Sequence, residues 1–221
     1  MIKLIKDYFS KFHSKDSCKK NQSGFTLLEL IVVIAIFGVL TTIVIFNYSD
    51  FESNIVTTNM AYEVALSVRQ AQVFGLGVRG IEDNTNLGRD FNNSYGLYFN
   101  IQSGASSEYT FYADTSTAGS NAGKYDSGDK TLVQNVLGRG IKISAINYGD
   151  TEGQCTSANH MSVSFRRPNP DALIVKDNAN QAAGFVQLTL LSPKGNNPDF
   201  QKYVVIRSSG QISVLGRNTC S

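Results

Sequence analysis

The sequence predicts an α+β protein, with one long N-terminal helix, membrane-spanning in its first half and amphipathic in its second, packed on an antiparallel β-rich domain. Three observations carry this. Phe25 to Phe46 form an apolar run of 22 residues whose only charged side chain is Glu29. No proline occurs before Pro168 and no glycine between Gly38 and Gly75, so nothing stops a helix from continuing past that run. From residue 81 onward, apolar residues alternate in short runs separated by Gly, Asn, Asp and Ser, which is the pattern of strands and turns.

The elements follow in order. Residues 1–24 carry Lys3, Lys6, Lys11, Lys15, Lys19 and Lys20 against Asp7 and Asp16, a net charge of +4. Positive flanks stay in the cytoplasm, so the chain beyond the apolar run is expected on the outer face of the inner membrane. The chain from Phe25 onward has 14 basic and 16 acidic residues, which excludes the basic excess of a bulk nucleic-acid binder. At ~1.5 Å of rise per residue the 22-residue run gives a helix of about 33 Å, enough to cross a hydrocarbon core of ~30 Å. A secretory signal would have a shorter core and a small-residue cleavage site after it, and none follows Phe46. A carboxylate within a spanning helix costs about 2.5–3.5 kcal/mol at the helix centre on insertion scales, so Glu29 asks for a partner or a function.

The basic leader ending in Gly24, followed by Phe25, Thr26, Leu27, Leu28, Glu29 and a long apolar helix, resembles a type IV prepilin or pseudopilin. The resemblance implies that a prepilin peptidase cuts after Gly24 on the cytoplasmic side and methylates the new amine of Phe25. It implies that Glu29, the fifth residue after the cut, pairs with the N-terminal amine of a neighbouring subunit during filament assembly. A stray acid snorkelling to water is the plain alternative. The resemblance also implies the ladle-shaped pilin fold. The domain plan is a leader over 1–24, removed; a long helix over 25–80 with its membrane half at 25–46; and a globular β-rich domain over 81–221.

Beyond the span, Ile55, Tyr62, Leu66 and Val73 recur at helical spacing, with Ala61, Ala65 and Val68 widening the stripe and Asp50, Glu52, Glu63 and Arg69 interrupting it. This is the face expected to pack on the domain. Gly75, Gly77 and Gly80 supply the stop. Gly38 marks either a place where the helix loosens within a filament or a close helix contact. Phe46 stands where many major pilins carry a proline, a departure that bears on major-subunit status.

Strands are expected at Tyr95, Leu97, Phe99 and Ile101; at Tyr109, Phe111 and Ala113; at Ile141, Ile143 and Ala145; and at Met161 to Phe165, Leu173 to Val175, Phe185 to Leu191, Tyr203 to Arg207 and Gln211 to Leu215. The last two, separated by Ser208, Ser209 and Gly210, read as a hairpin. No internal repeats occur, and Ser116 to Asp129 reads as the most flexible segment. The patterns YGLYF, YTFYAD and YVVIRSSGQISV resemble the globular part of the minor pseudopilin and pilin group called GspH/FimT.

Cys18 lies in the leader, which leaves Cys155 and Cys220 as an even pair in the domain sent outward. Pilins often fasten their C-terminal segment with such a bridge; two separate thiols are the alternative. Catalysis finds little support. His160 lies near Cys155, but two ligands do not make a zinc site, and no nucleophile elbow occurs. Asp114, Asp126 and Asp129 border the flexible loop without the spacing of an EF-hand, so a solvated loop is the expectation over a calcium site. Arg166, Arg167, Arg207 and Arg217 do not cluster in sequence, and DNA binding finds no support in them.

No cofactor is expected. The expected partners are the prepilin peptidase, other pilin or pseudopilin subunits, the inner-membrane assembly platform and the lipid bilayer. The competing reading is a permanently anchored single-pass protein with an outer binding domain, in which the leader stays and Glu29 is incidental.

Overall fold

The structure is a computed structural model that describes residues 24–82, 89–91, 93–115, 123–151, 153–176, 183–195 and 200–220. The expected leader with Cys18 lies outside the described residues, as does the 116–122 part of the expected flexible segment. Among the described residues one helix, α1, runs over Leu27–Leu76 and twelve strands follow it, so the fold class is the expected α+β. The chain divides into two compact units, Met1–Phe46 and Asn47–Ser221.

In the first unit α1 is long and apolar enough to cross a membrane. Its side chains are exposed all round from Leu27 to Ile45, where none of the described residues covers them. Two hydroxyls fold back on the backbone, Thr41 Oγ1 donating to the Phe37 carbonyl at 2.8 Å and Thr42 Oγ1 to the Gly38 carbonyl at 2.8 Å. That satisfies polar groups which lipid cannot.

In the second unit two five-stranded antiparallel sheets share one apolar core with the C-terminal part of α1. The first sheet has the order β12-β11-β10-β6-β7 and the second β5-β4-β3-β8-β9. Their ranges are β3 Ser94–Asn100, β4 Glu108–Asp114, β5 Lys130–Val136, β6 Lys142–Gly149, β7 Thr156–Ala158, β8 His160–Phe165, β9 Ala172–Lys176, β10 Phe185–Leu191, β11 Gln201–Arg207 and β12 Ile212–Leu215. A two-stranded ribbon, β1 Ile81–Glu82 and β2 Arg89–Asp90, follows the helix. In the second sheet, register places Tyr95, Leu97 and Phe99 opposite Ala113, Phe111 and Tyr109 on one side and Phe165, Val163 and Met161 on the other. These rows face the core, as the period-two alternation predicts.

The helix packs with a different face from the one expected. Ile55, Tyr62, Leu66 and Val73 are exposed, whereas Thr57, Ala61, Val64, Val68 and Ala71 are fully buried. The buried stripe recurs at spacings of four, three, four and three and consists of small or β-branched residues. Its members bring the helix backbone close to the sheets, and Gly75 completes it, because a Cβ there would stand 2.3 Å from the carbonyl oxygen of Phe165. Gln72, also buried, fastens the same face: its Nε2 donates to the Pro170 carbonyl at 2.9 Å. Of the expected stripe, only Ala61 and Val68 are buried and Ala65 partly so.

Two further expectations shift. The alternation Ile141, Ile143, Ala145 breaks at a bulge, where Thr189 and Leu190 of β10 face Ala145 and Ile143. The extra residue, Ser144, turns Ile146 instead of Ala145 into the core. Strands β5 and β7 were not expected, the first because KTLVQNV lacks alternation and the second because it has three small or polar residues. The β11–β12 hairpin forms as expected, with Tyr203 opposite Leu215 and Gly210 at φ +80° in its loop.

Gly75→Ala is therefore expected to lower the unfolding free energy by about 1–3 kcal/mol through overpacking against Phe165, while Leu66→Ala on the exposed face changes it by no more than about 0.5 kcal/mol. Urea unfolding of the full chain followed by tyrosine fluorescence measures both, and equal effects would contradict the assignment of faces.

Candidate functional site

The residues around Gly24 are built as a helix start. Thr26 precedes α1; its Oγ1 accepts the backbone N–H of Glu29 at 3.2 Å and its carbonyl accepts that of Leu30 at 3.1 Å. This is the threonine half of a Thr-x-x-Glu capping box, with Glu29 as its acid. Glu29 lies in the first turn, where the helix dipole favours a carboxylate. Thr26 was missed as a functional residue although the box is written in FTLLE.

Gly24 and Phe25 lie outside the helix, and Phe25 is 84% exposed. Nothing stands within 4 Å of a Cβ built on Gly24. The bond between them thus lies outside the helix. A cut there would leave the ammonium of Phe25 at the positive end of the helix dipole, two residues before α1 begins. Such a charge is unfavourable, and the carboxylate of Glu29 is the group in the first turn that offsets it.

The family profile described as Prokaryotic N-terminal methylation motif matches residues 19–45. The chain carries a prepilin-type N-terminal methylation motif. With the long apolar helix behind it, this agrees with a type IV pilin or pseudopilin. Comparison with curated proteins and with solved structures gives no match. The prepilin-type motif ends at residue 45, so the second unit is read from its own structure.

There Cys155 and Cys220 form a disulfide across 65 residues of sequence, with Cα atoms 5.4 Å apart. The buried amide of Gln187 on β10 holds the same tail: its Oε1 accepts from Thr219 N at 2.9 Å and Oγ1 at 2.6 Å, and its Nε2 donates to Asn218 Oδ1 at 2.6 Å. The bridge occupies the sulfur of Cys155, and among the described residues no group of three or more His, Cys, Asp or Glu could hold a metal.

The three aspartates act on the backbone instead. Asp114 Oδ2, buried, accepts from Ser94 Oγ at 2.8 Å and from Gly123 N at 2.5 Å. Asp129 accepts from Thr115 N at 3.1 Å and Asp126 N at 2.8 Å, and Asp126 accepts from Gly128 N at 2.7 Å. The carbonyl of Gly123 accepts from Tyr112 Oη and Ser164 Oγ, both at 3.0 Å. Residues 123–129 of the segment expected to be flexible are thus fastened over the outer face of the second sheet. Of the four arginines, Arg167 donates to the Phe91 carbonyl, and Arg207, in the first sheet, donates to Ser213 Oγ at 3.4 Å.

Burial pushes the Asp129 carboxyl up from 3.8 to about 6, with Asp114 and Asp126 adding to the rise and its two backbone hydrogen bonds opposing it. The folded state therefore holds this proton more tightly than the unfolded state, and the stability it contributes at low pH is lost as pH rises from 3.8 to about 6. Asp129→Asn removes that loss. The urea midpoint of the variant relative to wild type is expected to rise across this interval and to level off above it; a difference independent of pH would contradict the assignment.

Proposed function

We propose that the chain is a structural subunit of a filament of the type IV pilus or type II secretion kind, and a minor one. It inserts with its N-terminus in the cytoplasm, is cut after Gly24 by a prepilin peptidase and is methylated on Phe25. It then leaves the inner membrane by packing Phe25 to Phe46 among the helices of other subunits on an assembly platform. The prepilin-type motif over residues 19–45 carries this reading. Two features of the fold support it. The helix is uncovered from Leu27 to Ile45, so it needs lipid or other helices. Beyond the span, Ile55, Tyr62, Leu66 and Val73 stay exposed on a helix whose opposite face is already buried, leaving an apolar stripe for neighbouring subunits. The departure at Phe46 and the resemblance to the GspH/FimT group favour a minor subunit.

In this mechanism Glu29 sets register. A carboxylate in the apolar core without its ammonium is penalised more than the correct pair is rewarded, so the pair selects one axial position. Glu29→Ala is expected to leave the amount of protein in the membrane unchanged and to reduce its share of the sheared filament fraction by about tenfold or more, the loss expected when one partner of a desolvated pair is removed. Leu66→Lys is expected to leave the domain folded and to reduce the same share. Immunoblots of membrane and sheared fractions measure both, and normal incorporation of Glu29→Ala would remove the role assigned to that residue.

A further inference from the structure

The second sheet ends in an edge whose only protections, one lysine and one bulge, sit at its start. Strand β5 is seven residues long, and among the described residues no strand pairs with its outer side. Natural sheets blunt such edges with charges, prolines or very short strands. Here the only charge is Lys130 at the first position, and Val133 and Val136 are 51% and 61% exposed. The bulge of β5 falls at Leu132, between the partners of Phe111 and Tyr112, so Val133 to Val136 remains a regular edge against Phe111, Thr110, Tyr109 and Glu108.

Beside this edge lies an open groove of about 680 Å³, where the end of α1 and the turn after it face β5. Val133 and Phe91 form exposed apolar walls, Tyr95 and Phe111 close the floor, and Arg79 and Lys130 stand on the rim. Arg79 is held in place: its guanidinium lies 4.0 Å from the centre of the Phe74 ring, and its carbonyl accepts the Tyr95 hydroxyl at 3.0 Å. No carboxylate lines the groove among the described residues.

We propose that β5 is a docking edge for an extended segment of another polypeptide, which adds as a sixth strand antiparallel to β5, places alternate apolar side chains in the groove and sets a carboxylate against Lys130 and Arg79. An unpaired edge supplies main-chain hydrogen bonds, the groove selects side chains two apart, and the cations select charge. Antiparallel pairing puts the C-terminal end of the guest next to Lys130, so the carboxylate is an acidic residue at that end or the chain terminus itself. A second copy of this chain fits less well, because β5 contains no acid to meet Lys130 and Arg79. This docking edge is independent of the helix and of the filament reading.

The test uses the full chain in nanodiscs and a fluorescein-labelled heptapeptide of alternating threonine and valine ending in glutamate with a free carboxylate, titrated by fluorescence anisotropy against empty nanodiscs. Saturable binding with a Kd in the micromolar range is expected, weakened about tenfold or more when a lysine amide replaces the terminal glutamate, when Lys130→Glu reverses the rim, or when salt is raised to about 0.5 M. Val133→Asp is expected to abolish binding, and circular dichroism of both variants separates loss of the groove from loss of the fold. No saturation below about 1 mM, equal affinity for the two peptides, or affinity unchanged in folded Val133→Asp would overturn the proposal. Self-association abolished by Val133→Asp would overturn it in favour of a second copy.

Discussion

One helix has to be compatible with two surroundings, and the placement of nearly every informative residue follows from that constraint. From Leu27 to Ile45 its surface is apolar on all sides, which suits lipid or a bundle of like helices and nothing aqueous. From Thr57 to Gly75 one face is reduced to small residues, so that the backbone can approach two sheets closely enough to exclude water. The large apolar side chains of that second half point away from the core. A soluble domain would have little use for Tyr62, Leu66 and Val73 in that position; a subunit whose helix must meet other subunits has one.

The same economy appears at the two ends of the chain described. At the N-terminus, Thr26 begins the helix by capping the backbone N–H of Glu29, and both residues lie within the prepilin-type motif. The helix therefore starts just after the bond that a peptidase would cut, which leaves that bond outside it. At the C-terminus, the last residues have no strand to hold them, and the disulfide from Cys220 and the amide of Gln187 hold them in its place. A buried glutamine with three partners in one tail is an orienting device, because an unpaired amide at that depth would cost about 1–3 kcal/mol.

Sequence patterns made some of this legible and hid the rest for identifiable reasons. The span, Gly24, Phe25 and Glu29 stand out because a charge in an apolar run has few explanations, and the core strands stand out because period-two alternation survives wherever one face is buried. The packed face of the helix did not, since Ile55, Tyr62, Leu66 and Val73 are the more apolar residues while contact with the sheets selects Ala61, Val64 and Ala71 for size. Strand β5 was hidden because an edge strand lacks the alternation that a buried face imposes. Residues 123–129 read as flexible as part of Ser116 to Asp129, which is rich in Ser, Gly, Asn and Ala, whereas Asp114, Asp129 and Tyr112, two of them outside that segment, hold them in place.

The account rests most directly on the fate of the Gly24–Phe25 bond. Intact and N-terminal mass spectrometry of the protein from its native membranes and sheared surface fraction would read it. The account predicts a chain that begins at Phe25 with one methyl group on its amine. A chain that keeps residues 1–24 in cells with an active prepilin peptidase would contradict it and would make the protein a permanent single-pass anchor.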